Sequence, residues 1–333
     1  VRELVLLLGV LLVASTVYAD TLTPERLGVI YNRDDRASVE IAAYYAAHRG
    51  IPAANLIGLS VPDRERIGRE ELKRLRDAME AQLPSSVQSL LLVWSRPFAV
   101  ECMSITTAFA AEYQPAFCEP GCGATIASPL FDTAGWLPAD TTGWLPAMLL
   151  PSDDQALARS IIDRGIVADR SGPPGTVYLI RTPDAARNVR AAGYAELEAS
   201  LSQRLVVREL ATPIAQPLSN AIGYFTGARF VDELPLISFR PGAAADHLTS
   251  TGGVLEHGRQ MSALEWLRQG ATASYGTVSE PCAVKAKFPN PAVFLQHYLS
   301  GDTLLEAYWK SVAMPGQGLF LGEPLARPFV RQP

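Results

Sequence analysis

Ser89-Leu90-Leu91-Leu92-Val93-Trp94 decides the fold. After Ser89 the run is apolar throughout, with no alternation of wet and dry residues. A strand with one solvated face alternates, whereas a strand buried on both faces does not, so this run is predicted to be a central parallel strand. Two further strand-like runs precede it, Leu27-Gly-Val-Ile-Tyr31 and Asn55-Leu-Ile-Gly-Leu59. Helical patterns separate the three. Ile41, Ala42, Tyr45 and Ala46 recur at three and four residues; Ser38 is predicted to cap that helix, and Gly50 with Pro52 to stop it. Gly68 to Leu83 is a charged helix with Leu72, Leu75 and Met79 on one side, ended by Pro84. The order β-α-β-α-β predicts right-handed crossovers and a doubly wound, mostly parallel α/β sheet.

Past Trp94 the rhythm breaks. Residues from about 97 to 151 carry three cysteines, two tryptophans and many Gly and Pro, and are predicted to form a loop-rich insertion. Asp153 is expected to cap a helix through Arg164. Thr176-Val-Tyr-Leu-Ile180 is another central-type strand, Asp184 to Ser202 a helix, and Arg204 to Leu210 a strand or edge strand. Apolar runs then end in Thr226-Gly227, in Phe239-Arg240-Pro241-Gly242 and in Gly276-Thr277. Nothing forces two domains. The expectation is one α/β domain over 20–333, with a sheet of about six strands.

The chain has 333 residues, is 48% hydrophobic, and carries a formal charge of -5 with both signs interspersed. A large core is possible, and with no basic stripe nucleic acid is not an expected partner. Residues 1–19 read as an export signal. Leu4 to Ala14 is a short apolar stretch, and Val17-Tyr18-Ala19 suits cleavage near Ala19. The predicted destination is periplasmic or extracellular, with no transmembrane span in the mature chain. Four cysteines in an oxidising compartment allow three pairings. The turn-rich spacer Cys118-Glu-Pro-Gly-Cys122 points to a Cys118–Cys122 bond, leaving Cys102 with Cys282. A zinc set commonly needs paired short spacings, and only one is present. No metal and no cofactor are expected.

In open α/β sheets, ligands bind beyond the carboxyl ends of the strands. The expected ligand contacts are therefore Asn32, Asp34, Arg96, Thr226, Arg240 and Thr277, with arginines suited to a carboxylate or phosphate. For catalysis, His247 is the best base, beside Asp246 and Ser250; the competing reading makes Asp246 a cap and His247 a turn residue. Cys282 near Glu280 is a candidate thiolate, against a disulfide as the alternative. His257 is read as a solvent-facing residue before a helix. No phosphate-binding loop, nucleophile elbow or zinc-peptidase helix motif occurs.

Two resemblances add to this. Ser38 to Pro52, Asp246 to Gly253, Gly270 to Cys282 and Gly301 to Pro328 resemble an uncharacterised secreted bacterial family that accompanies exosortase, the sorting system for proteins with a PEP-type C-terminal signal. That resemblance implies a setting at the envelope, linked to exopolysaccharide systems, and no reaction. The C-terminal third is similar in layout to gingipain-type cysteine peptidases of the caspase-like fold, through Gly270 to Gly276, Gly301 to Ala307 and Leu321 to Leu325. Their His-Gly and Cys would fall at Tyr224-Phe-Thr-Gly227 and Phe239-Arg-Pro-Gly242, where neither catalytic residue stands. The expected fold is thus a caspase-like or flavodoxin-like sheet. The expected function is a catalytically degenerate accessory protein that binds an envelope or extracellular peptide or glycan. The alternative is a hydrolase with a site rebuilt around His247 and a nearby Ser or Cys.

Overall fold

The computed structural model describes residues 21–118, 122–136, 138–201 and 203–329. The segment read as an export signal, with its expected cleavage near Ala19, lies outside the described residues.

The first half of the chain supplies β1 (Leu27–Asn32), α1 (Arg36–Arg49), β2 (Leu56–Leu59), β3 (Arg66–Ile67), α2 (Arg69–Glu80), β4 (Ser89–Val93), β5 (Ala99–Val100), β6 (Met103–Ser104), α3 (Ile105–Ala111), α4 (Pro138–Thr142), β7 (Ala147–Leu150) and α5 (Gln155–Ala168). The second half supplies β8 (Thr176–Arg181), α6 (Tyr194–Leu201), β9 (Val206–Ala211), β10 (Leu218–Thr226), β11 (Ile237–His247), α7 (Leu264–Gln269), β12 (Ala273–Thr277), α8 (Pro291–Leu299), α9 (Leu304–Ser311) and β13 (Gly318–Gly322).

Ten of these strands form one mostly parallel sheet in the order β2-β1-β4-β7-β13-β12-β11-β10-β8-β9. β4 is buried at every residue, as its unbroken apolar run requires. β1 lies between β2 and β4, parallel to both. The chain therefore winds outward from β1 to β2 and returns past β1 to β4. Right-handed crossovers then put α1 and α2 on opposite faces. α1 packs on β1, β4 and α5, and α2 packs on β2 and α3. The second half repeats the plan, with β9 outside β8 and with β10, β11 and β12 following inward, all in parallel pairings. β13 returns antiparallel to β12 and meets β7 at Leu321 and Leu149, which joins the halves.

The carboxyl ends of both halves share one rim. Arg66 Nη2 donates to the Val278 carbonyl at 3.2 Å, and Ser279 Oγ donates to the Cys102 carbonyl at 2.7 Å. Arg96, after β4, meets Glu256, after β11, at 2.9 Å. The short strands β3, β5 and β6 form a second small sheet beside this rim. At the opposite edge, where α1 ends, Arg49 pairs with the buried Glu323 at 2.7 Å, and Tyr45 donates to the same carboxylate.

Several expectations change. The sheet has ten strands rather than about six. The stretch read as an insertion contains α3 and the fully buried strand β7, so part of it belongs to the core. Arg240-Pro-Gly242 does not end its strand. Gly242, at φ +84°, takes up a bulge, and β11 resumes as Ala243-Ala-Ala-Asp-His247, which a propensity for β-branched residues cannot identify. Asp35 caps α1 in place of Ser38, and Asp154 caps α5 in place of Asp153. The disulfides join Cys102 to Cys118 and Cys122 to Cys282, not Cys118 to Cys122 and Cys102 to Cys282. Cys118 is anchored to the β5–β6 turn and Cys122 to the turn after β12, so tertiary anchoring overrides the short loop.

Candidate functional site

The rim divides into a sealed half and an open half. Over β10, β11 and β12 the strand ends are covered. Gly276 touches the backbone of Gly252 and Gly253 so closely that a Cβ on it would fall 2.4 Å from the Gly253 nitrogen. The 249–253 turn therefore lies backbone to backbone on β12. Thr277 Oγ1 donates to the Thr249 carbonyl at 3.1 Å and to the Ser250 carbonyl at 3.0 Å, and the Thr277 side chain is buried. Thr226 is buried too, with its carbonyl held by Arg190. Neither threonine faces a ligand space, contrary to expectation. Arg240 lies before the bulge in β11, on the amino-terminal side of the strand, and so is not at the rim at all.

The candidate catalytic residues are placed by the same sealing. Asp246 is not a cap: it sits in β11 and pairs with Arg190 at 2.6 Å, both side chains closed from water. Burial raises its carboxyl to about 6, although Arg190 works in the opposite direction. His247 is 1% exposed. Its Nδ1 accepts from Trp266 Nε1 at 2.9 Å, and its Nε2 lies 3.0 Å from the Met261 carbonyl. An acceptor at Nε2 and a donor at Nδ1 fix the neutral tautomer protonated at Nε2. Burial lowers its pKa to about 4. Both ring nitrogens are committed, so no lone pair is left for a Ser or Cys proton. Ser250 is drawn to Thr277 only through its carbonyl, and the Cys282 sulfur is in a disulfide. Glu280 accepts from the Cys282 amide at 2.8 Å and holds its own turn. The structure does not assemble these five residues into a reacting group.

The open half lies over β1, β4 and β7. Here the direction of winding reverses, between β1 and β4, and such a switch point leaves a crevice at the carboxyl ends. A cleft of about 520 Å³ occupies it, larger than the 300 Å³ groove on the flank of α2. Asn32, Asp34 and Asp35 line it after β1, Ser95 and Arg96 after β4, and Asp153 after β7.

Short polar side chains build its floor. Ser38, one turn into α1, accepts from the Asn32 amide at 2.8 Å and donates to the Val93 carbonyl, tying β1 to β4. Ser95 Oγ accepts from the amides of Ser152 and Asp153, both at 3.1 Å, tying β4 to β7. The Asn32 side chain clamps Val61, giving to its carbonyl at 3.2 Å and accepting from its amide at 3.1 Å. Asn32, expected as a ligand contact, is thus a brace of the site. Arg96 and Asp34 do line the open space, as expected.

Arg96 is the electrostatic centre. Its Nε meets Asp63 at 2.8 Å, its Nη1 meets Glu256 at 2.9 Å, and Asp153 lies 3.8 Å from its Nη2. The Asp63 bond, opposed by slight burial and aided by the other two acids, holds the guanidinium firmly charged. Burial raises the Asp153 carboxyl, against the Ser95 and Arg96 contacts. A planar cation among carboxylates can exchange a partner for an incoming oxygen, and the carboxylates can accept from hydroxyl or ammonium groups. No histidine or cysteine lines the cleft among the described residues.

Sequence reasoning did not single out Ser38, Ser95, Asp63 or Asp153 for the site. The signal for Ser95 and Asp153 was positional, since both follow a central strand. Asp63 is brought in only by tertiary structure. Compared with family models, with curated proteins and with solved structures, the chain matches none.

Proposed function

We propose that the protein is an exported accessory protein of the envelope, a catalytically degenerate relative of caspase-like proteins that binds a peptide or glycan at the strand carboxyl ends. Its setting is the exosortase and exopolysaccharide machinery. The observation that carries the binding role is the cleft at the β1–β4 switch point, with Arg96 held among Asp63, Asp153 and Glu256. Eight of its eleven lining residues are polar or charged, which favours a hydroxyl-rich glycan over an apolar peptide segment. The commitment of both His247 nitrogens, and of Cys282 to a disulfide, supports binding without turnover.

The test is calorimetric titration of the exported protein against envelope polysaccharide fragments and synthetic peptides, with Arg96→Ala and Asp34→Asn beside the wild type. Saturable binding weakened in both variants is expected. Binding indifferent to both substitutions would place the ligand elsewhere. Labelling by a serine-hydrolase or thiol probe that disappears in His247→Ala would replace the binding role with a catalytic one.

A further inference from the structure

Beside the cleft, Glu65, Glu256 and His257 each bring one ligand atom within 4.8 Å of the other two. They come from two loops far apart in sequence. Glu65 precedes β3, and Glu256 and His257 follow β11. Arg96 bonds Glu256 but not Glu65. Among the described residues, no hydrogen bond or ion pair holds the Glu65 carboxylate or the His257 ring. Two carboxylates and an imidazole thus converge, with Arg96 bonded to Glu256 and Arg66 near Glu65 without a bond to it.

We propose that Glu65, Glu256 and His257 form a Zn²⁺ site. An imidazole nitrogen and two carboxylate oxygens are three ligands of the type that Zn²⁺ takes, with a fourth tetrahedral position left to water or a bound molecule. The imidazole selects against Ca²⁺ and Mg²⁺, which favour sets made wholly of oxygen. The sequence hid this set because a search by spacing finds Glu256 beside His257 but cannot bring in Glu65. Taking up the ion draws Glu256 away from Arg96 and frees one edge of that guanidinium toward the cleft. This last consequence rests on the cleft being a binding site; the cation site does not.

The experiment is calorimetric titration of the exported full chain, freed of metal by chelator, with Zn²⁺, Ca²⁺ and Mg²⁺ separately. Glu65→Gln, His257→Ala and Asp34→Asn are titrated in parallel, with thermal melts to confirm folding. One equivalent of Zn²⁺ is expected, with affinity reduced at least about tenfold in Glu65→Gln and in His257→Ala, since loss even of outer-shell partners costs that much. Asp34→Asn, in the cleft but outside the trio, retains wild-type Zn²⁺ affinity. No Zn²⁺ binding overturns the site, as does binding unchanged in both trio variants. Ca²⁺ or Mg²⁺ bound in preference to Zn²⁺ overturns it too, because the imidazole is then not a ligand. Zn²⁺ binding without any glycan or peptide binding leaves the site standing and removes only the role proposed for the cleft.

Discussion

Arg190 sets its Nη1 2.6 Å from Asp246 Oδ1, joining the 188–193 turn to the carboxyl end of β11 in a space closed to water. Its other nitrogen contacts are the carbonyls of Pro289 and Thr226. Burial works against the Arg190 charge, but Asp246, with nearby tyrosines, more than compensates and raises its pKa. The pair plugs the second switch point, between β8 and β10, whereas the β1–β4 switch point carries an open cleft. Removing one member strands the other as a buried charge, at a cost of about 3–5 kcal/mol. Asp246→Asn and Arg190→Met are each expected to lose that much in urea unfolding. The double variant is expected to lose less than the sum. Single losses under about 1 kcal/mol would show that water reaches the pair.

His247 gives stability a pH dependence of known sign. Its pKa falls from 6.5 in the unfolded chain to about 4 in the folded one. The unfolded chain therefore holds an extra proton between those values. The contribution of His247 is complete above pH 6.5 and is lost as pH falls through 4, on the order of 3 kcal/mol. Asp246 acts oppositely in an overlapping window, because its folded pKa is raised from 3.8 to about 6. Its contribution is complete below pH 3.8 and is lost as pH rises through 6. The two nearly cancel in the wild type. In His247→Gln the Asp246 dependence is no longer offset, so stability measured in urea is expected to decline from pH 4 to pH 6 relative to the wild type. A variant profile that rises over this range relative to the wild type would contradict the assignment.

Where a segment announces itself by local pattern, the sequence is a good guide. The apolar run of β4 and the Gly50 stop of α1 are both local signals, and both appear as expected. Arg96 is legible because it follows a central strand, and the rule for strand ends needs no tertiary contact. The misreadings arise where tertiary structure overrides a local cue. Pro241-Gly242 looks like a terminator, yet β11 continues through it because Ala243 to Ala245 pack between β10 and β12. Thr226 and Thr277 also end strands, but the 249–253 turn and Arg190 roof them over, and no pattern of spacing reveals a roof.

The cysteine pairing makes a covalent test. Peptide mapping without reduction is expected to recover Cys102 linked to Cys118 and Cys122 linked to Cys282. The second bond closes 160 residues of chain, so its loss frees much unfolded-state entropy. Cys122→Ser is expected to lower stability by about 2–4 kcal/mol, and to leave one thiol titratable under denaturing conditions. A peptide linking Cys118 to Cys122 would restore the pairing expected from spacing and detach the rim turn at Cys282 from the 97–151 stretch.

Ser38 braces the cleft from beneath, and its loss separates site from scaffold. Its hydroxyl is fully buried, receives the Asn32 amide and gives to the Val93 carbonyl. Ser38→Ala leaves both backbone groups unsatisfied where water cannot enter, at about 1–3 kcal/mol for each buried group so orphaned. The strand ends carrying Asn32 and Arg96 then lose their common tie. Ligand affinity is expected to fall together with stability, although Ser38 touches no ligand. Ser38→Thr keeps the hydroxyl and is expected to recover part of both, limited by room for the added methyl. Equal loss of affinity in Ala and Thr variants, with stability restored only by Thr, would mean that the cleft does not depend on the β1–β4 tie.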